Sequence, residues 1–240
     1  MRSSNPVFAS IERSQAYTTS GEVATYRGII FKTGLLFAIA ILSGYLALSY
    51  FPLELLFPMI IGSAIVALIS VIIASRSLRL APLFSILYAV SEGLILVLIT
   101  VLFDAMAPGV ALAAVIATGA IFTVMLFLYS SRTIRVTPRF RRIMYASLLG
   151  IMLFIVIGFF LSLLGIQIGF SEPVIILISA VFIIFGALML TMDFDRAEMI
   201  VSGEYEKGYE WMVAVGLMVT IIWIYFELLR LFFILANNRR

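Results

Sequence analysis

Seven long apolar runs fill most of this sequence, and they restrict its fold more than any other feature. They lie at about 28–50, 55–74, 80–103, 109–130, 143–165, 173–192 and 212–236. Roughly 20 consecutive apolar residues make one bilayer crossing. Inside hydrocarbon each backbone N–H and C=O must be paired within the protein, which leaves helices or a closed barrel. Barrel strands alternate polar and apolar residues, and these runs do not. The chain is 63% hydrophobic and only 12% charged over 240 residues, whereas soluble domains are about 25% charged. The expected fold is an all-α membrane protein, a seven-transmembrane-helix bundle, and neither a soluble nor a secreted domain.

The runs divide the chain into a polar, soluble tail at 1–27, a seven-span helical membrane domain at 28–236 and a short C-terminal tail at 237–240. The first run is too long and too far from the start for an ordinary signal-peptide core, so it is read as an uncleaved span. Pro52, Pro108 and Pro173 fall at or near span ends. Internal repeats and low-complexity tracts are not evident.

Loop charge predicts orientation. Arg2, Arg13 and Arg27 precede the first span, with Lys32 just inside it. Arg76 and Arg79 follow the second span, and Arg132, Arg135, Arg139, Arg141 and Arg142 follow the fourth. Arg196 and Lys207 follow the sixth. The alternating loops carry only acids, Glu54, Asp104 and Glu172. Basic loops stay inside, so the expectation is a multi-pass protein of the inner (plasma) membrane with a cytoplasmic N-terminus. Seven full spans then place Arg239 and Arg240 outside; a re-entrant last run is the alternative.

The sequence has no cysteine and no histidine. Thiol chemistry, the usual zinc motifs and a Ser–His dyad are thereby excluded, and phosphate-cradling glycine loops are missing. No enzyme and no cofactor is expected, and the basic residues form no nucleic-acid stripe. A proton response has to come from carboxylates or lysine.

Charge within a span costs about 2.5–3.5 kcal/mol on insertion scales, so the few such residues are informative. Glu92, in Ser91-Glu92-Gly93, is either a pore-facing carboxylate or proton acceptor, or a protonated structural acid; Gly93 allows a neighbouring helix to approach. Glu227 and Arg230 share one helix face. They either neutralise each other or form a buried pair that breaks on protonation or cation binding. Asp193, Asp195 and Glu198 cluster where the sixth span meets its loop. Oxygen ligands suit calcium, and close carboxylates make a proton sensor; a solvated acidic helix end is the alternative. Lys32 reads as snorkelling to headgroups. The arginines after span four read as contacts to anionic lipid. Glu204, Glu206 and Glu210 read as ordinary loop charge, and Trp211 and Trp223 as interfacial anchors or packing.

Several segments resemble one family. They are Ser91-Glu92-Gly93-Leu94 in span three, Met192-Asp193-Phe194-Asp195 at the end of span six, and the closing Glu227-Leu228-Leu229-Arg230-Leu231-Phe232. The opening Met1-Arg2-Ser3-Ser4-Asn5-Pro6-Val7-Phe8 is similar to a bacterial branch of the same group. The chain thus resembles the Bax inhibitor-1/YccA-like family, the transmembrane BAX inhibitor motif proteins. The resemblance implies a seven-helix bundle with its last helix near the centre. It also implies, for some members, a pH-controlled calcium leak through two aspartates, one ending span six and one in the last span. Asp193 matches the first. Aligning the Leu-Arg segments places Thr220 at the second, while other registers give Val219 or Trp223.

The leading functional expectation is a passive, pH-sensitive cation path, calcium first, with Asp193 and Glu227 as ion-binding acids and Asp195, Glu92 and Arg230 in gating. A non-conducting regulatory partner of a membrane protein, such as a quality-control protease or in a stress response, is the alternative. A proton-coupled transporter is third, lacking the broken helices and repeated halves of such proteins.

Overall fold

The computed structural model describes residues 22–165 and 169–238. The features expected on residues 1–21, including Arg2, Arg13 and the Met1–Phe8 opening, lie outside the described residues, as do Arg239, Arg240 and the side chain of Glu54. The chain forms helices α1 (Tyr26–Tyr50), α2 (Leu53–Arg76), α3 (Ala81–Met106), α4 (Val110–Ser130), α5 (Pro138–Leu163), α6 (Glu172–Ser202) and α7 (Tyr209–Asn237). All seven are long and apolar enough to cross a membrane. The only strand-like pairing among the described residues is one isolated bridge, Val23 to Glu206.

Local chemistry sets the helix starts. Thr25 caps α1, its side chain accepting from Gly28 N at 3.0 Å. Thr137 does the same for α5 with Phe140 N at 3.2 Å. Proline stands just before α2 and in the first turn of α3, α5 and α6, where its missing N–H has no intrahelical partner to lose. Asp104 closes the α3–α4 turn by accepting from Gly109 N at 3.0 Å and Ala111 N at 3.2 Å.

Helix α7 is the centre of the bundle. It packs on α1, α2, α3, α4 and α6. Inside the protein 61% of its apolar window is buried, against 0–28% for the other six. Leu217, Met218, Ile224 and Leu229 of α7 are nearly or fully buried. Helix α5 is the opposite case: it packs chiefly on α6, and none of its apolar window is buried. Lipid is as apolar as leucine, so helices associate in it through close packing of small residues rather than water exclusion. The α1–α3 contact shows this. A Cβ on Gly93 would lie 2.1 Å from the Ala40 carbonyl oxygen, so only glycine admits that approach, as the Ser-Glu-Gly segment suggested.

The basic loops gather at one end of the bundle. Leu78 packs against Gly208, Tyr129 bonds to Glu198, and Arg141 bonds to Asp195. Residues 22–25, assigned to the tail from sequence, join this end as a short strap. Ala24 N donates to Tyr205 O at 2.8 Å, and Lys207 N donates to Glu22 O at 2.9 Å. The α3–α4 turn, carrying Asp104, is at the other.

One sequence expectation needs correction, and the favoured seven-span reading stands over its re-entrant alternative. The sixth span does not give way to a loop at Asp193; α6 continues to Ser202, so its three acids sit on a helix. The last run is one unbroken helix of 29 residues. At about 1.5 Å per residue that is roughly 43 Å, longer than the hydrocarbon core, and it contains no break for re-entry.

Candidate functional site

The seam between α6 and α7 brings several buried polar groups together at two levels. Residues at positions three and four apart share a helix face. On α7 this puts Gly216, Thr220, Trp223 and Glu227 on one side. On α6 it aligns Ser179, Gly186 and Asp193.

At the first level, Asp193 is buried, and its Oδ2 accepts the Thr220 hydroxyl at 2.6 Å. That hydroxyl has one proton and two acceptors in reach, the second being the Gly216 carbonyl at 3.3 Å. The shorter contact is to the carboxylate. Of the three registers the sequence left open, the structure pairs Asp193 with Thr220. Where the resemblance implies a second aspartate, a hydroxyl donor faces Asp193.

The second level lies about 10 Å further along α7, seven residues on. Arg230 Nη2 stands 2.8 Å from Glu227 Oε2. The alignment is poor, and Glu227 Oε2 receives no hydrogen bond. Arg230 instead donates across the seam to Ser179 Oγ, from Nε at 3.1 Å and Nη2 at 3.0 Å. The expected Glu227–Arg230 pair is therefore present as a charge contact, and the guanidinium is anchored by a serine the sequence did not single out. Between the levels sits Trp223, against Phe182 and Phe185, with its buried Nε1 unpaired.

The other sequence candidates go elsewhere. Asp193 does not join Asp195 and Glu198, which line one pocket with Tyr129, Arg132 and Arg135. Residues two apart on a helix point to nearly opposite sides. Asp195 turns to α5 and pairs with Arg141 at 2.7 Å, and Glu198 accepts from Tyr129 of α4 at 2.5 Å. Asp193 and Glu227 occupy different levels, so they do not meet at one cation either. Among the described residues no three acids gather in a way that could hold a metal ion. Glu92 is half-buried on α3 and enters no hydrogen bond among the described residues.

Lys32 and Glu210 require a larger revision. Lys32 does not snorkel outward, and Glu210 is not loop charge. Their side chains are 10% and 1% exposed and form an ion pair joining α1 to α7. Glu210 Oε1 also accepts from Thr25 N at 2.8 Å and Thr25 Oγ1 at 3.1 Å. Its carboxylate rests on Gly28, where any side chain would displace it. Lys32 Nζ lies 5.3 Å from the Trp211 ring centroid, within cation–π range. The available signal was Lys32 itself, a charge inside the first span, and Glu210 at the mouth of the last.

Outside the spans, Glu22 and Lys207 form an exposed ion pair on the strap. The hydrogen bond and charge of Lys207 hold the Glu22 carboxyl below its ordinary range, and Glu22 raises the Lys207 ammonium by the same contact.

A family model described as Bax inhibitor 1 like matches residues 5–237. No curated protein matches the chain.

Proposed function

Because this chain belongs to the Bax inhibitor 1 like family, we propose that it provides a passive, proton-sensitive path for a cation, calcium first, across the bilayer. The observation that carries this reading is Asp193, a carboxylate enclosed between two spans and bonded to a hydroxyl rather than to a cation. An acid in that position is costly, and such residues mark ion and proton pathways. Hydroxyl and carboxylate oxygens are hard ligands of the kind calcium takes. With no histidine in the chain, proton sensing falls to acids.

The two levels have different tasks in this reading. At Asp193 and Thr220 one carboxylate changes charge alone, without a second acid to share its proton. At Glu227 and Arg230 the guanidinium, held by Ser179, is a positive barrier that must move or be neutralised before a cation passes. In this reading the basic end faces the cytoplasm, following the arginine bias of the loops, and the plasma membrane is the setting that the likeness of the opening segment to a bacterial branch implies.

The test is calcium flux into liposomes containing the purified protein, at several pH values. Wild type conducts with a pH dependence that Asp193→Ala abolishes. Equal flux from the two proteins, or none from either, rejects the reading.

The second reading is a non-conducting regulatory partner of another membrane protein, such as a quality-control protease. It is favoured by Asp195 and Glu198, whose acids are tied to Arg141 and Tyr129 in structural bonds, and by α5, whose apolar span has no fully buried residue. Crosslinking in native membrane that captures a stable complex, with no flux in liposomes, selects it.

A further inference from the structure

Helix α5 carries a feature that neither polar level uses. Pro138, Arg141, Arg142, Tyr145, Ala146 and Leu149 line, with Val136, a groove of about 630 Å³. Their spacing of three and four places them on one face of the helix. The stripe runs about 16 Å down the helix axis. It is graded: two guanidiniums near the helix start, a tyrosine below them, then alanine and leucine.

We propose that this groove seats one anionic phospholipid of the surrounding bilayer, its phosphate between Arg141 and Arg142 and an acyl chain along Ala146 and Leu149. Charge selects the headgroup. Five arginines lie between positions 132 and 142, and no acid occupies the first turn of α5. Among the described residues Arg142 makes no ion pair or hydrogen bond and is exposed, while Arg141 is steadied by Asp195 at 2.7 Å. The α5 N-terminus adds the positive end of the helix dipole, which favours an anion there. Guanidinium forks match phosphate geometry. Position selects the tail. No residue in the apolar window of α5 is fully buried, and Leu149 is 67% exposed, so the lower groove opens onto hydrocarbon rather than water. An acyl chain is the occupant continuous with that setting. The proposal does not depend on ion flux.

The experiment is native mass spectrometry of the full chain in detergent, with phosphatidylglycerol or phosphatidylcholine of identical chains added, and glycerol phosphate as a soluble headgroup. Wild type retains phosphatidylglycerol over both other probes. Arg142→Ala lowers that retention about tenfold, whereas Arg79→Ala, removing an exposed arginine from another basic loop, leaves it unchanged. Leu149→Trp, which fills the chain's path while keeping every charge, lowers phosphatidylglycerol retention too. Circular dichroism confirms that the variants fold. Equal losses from Arg142→Ala and Arg79→Ala overturn the proposal in favour of unspecific charge attraction. Glycerol phosphate held as tightly as the lipid, or phosphatidylcholine retained equally, overturns it as well.

Discussion

Asp193 of α6 and Thr220 of α7 meet side chain to side chain at 2.6 Å, 27 positions apart in sequence and buried in the same seam. The contact ties the central helix to its neighbour through one proton. Thr220→Val keeps the shape and removes the donor, leaving a buried carboxyl without its partner. Stranding a buried polar group costs about 1–3 kcal/mol. Thermal unfolding in detergent should show a lower midpoint for Thr220→Val and near wild-type behaviour for Thr220→Ser. A valine variant as stable as wild type would show that the bond contributes nothing.

The Lys32–Glu210 pair makes a sharper claim, because both side chains are almost fully enclosed. Removing one partner of a buried pair costs about 3–5 kcal/mol, while replacing both with apolar residues is often close to neutral. Lys32→Met and Glu210→Leu should each destabilise strongly in a denaturant titration. The double variant should recover most of the loss. If the two losses simply add, the pair is not coupled.

Close approach of α1 and α3 predicts a contrast between two glycines. The Cβ of Gly93→Ala would press on a backbone carbonyl and on Ser43 Oγ at 2.1 Å, so the helices must separate. Overpacking of this kind costs about 1–3 kcal/mol. Gly34→Ala meets nothing within 4 Å and should gain about 0.5–1 kcal/mol from the lower entropy of the unfolded chain. Melting points of the two variants moving in the same direction would contradict this packing.

The Glu22–Lys207 pair sets a pH window for the strap. Glu22 titrates lower when folded, so its contribution is present above its ordinary value of 4.5 and fades as pH falls through the lowered value. Lys207 titrates higher when folded, so its contribution is complete below its ordinary value of 10.5 and fades as pH rises beyond the raised one. Between those limits the contact does not change. Exchange protection of the Ala24 amide, corrected for intrinsic rate, should be flat across neutral pH and drop only in strong acid and in strong base. A response near neutrality would place a different titrating group at the strap. A proton-dependent flux near neutrality, if observed, therefore originates elsewhere than at this pair.

How much of this was legible in the sequence depended on whether the deciding contact was local. The seven spans, the prolines at their ends and the Glu227–Arg230 proximity all follow from residues a few positions apart. Gly93 announced a close helix without naming α1. Lys32 and Glu210 announced two charges in awkward places, yet their 178-residue separation hid that each resolves the other. The acids of α6 misled because proximity in sequence suggested a cluster of three, while helix geometry turned Asp193 to Thr220 in one seam and left Asp195 and Glu198 together at the pocket beside Tyr129.

Hydropathy by itself determined that this chain lives in lipid as a helical bundle, because a bilayer leaves an apolar backbone no other way to pair its polar groups. Only the tertiary structure decided which side chains face one another across the helices. In hydrocarbon that choice rests on surface shape and on partners for isolated polar atoms. Both are properties of two elements in contact, and neither is written in one element alone.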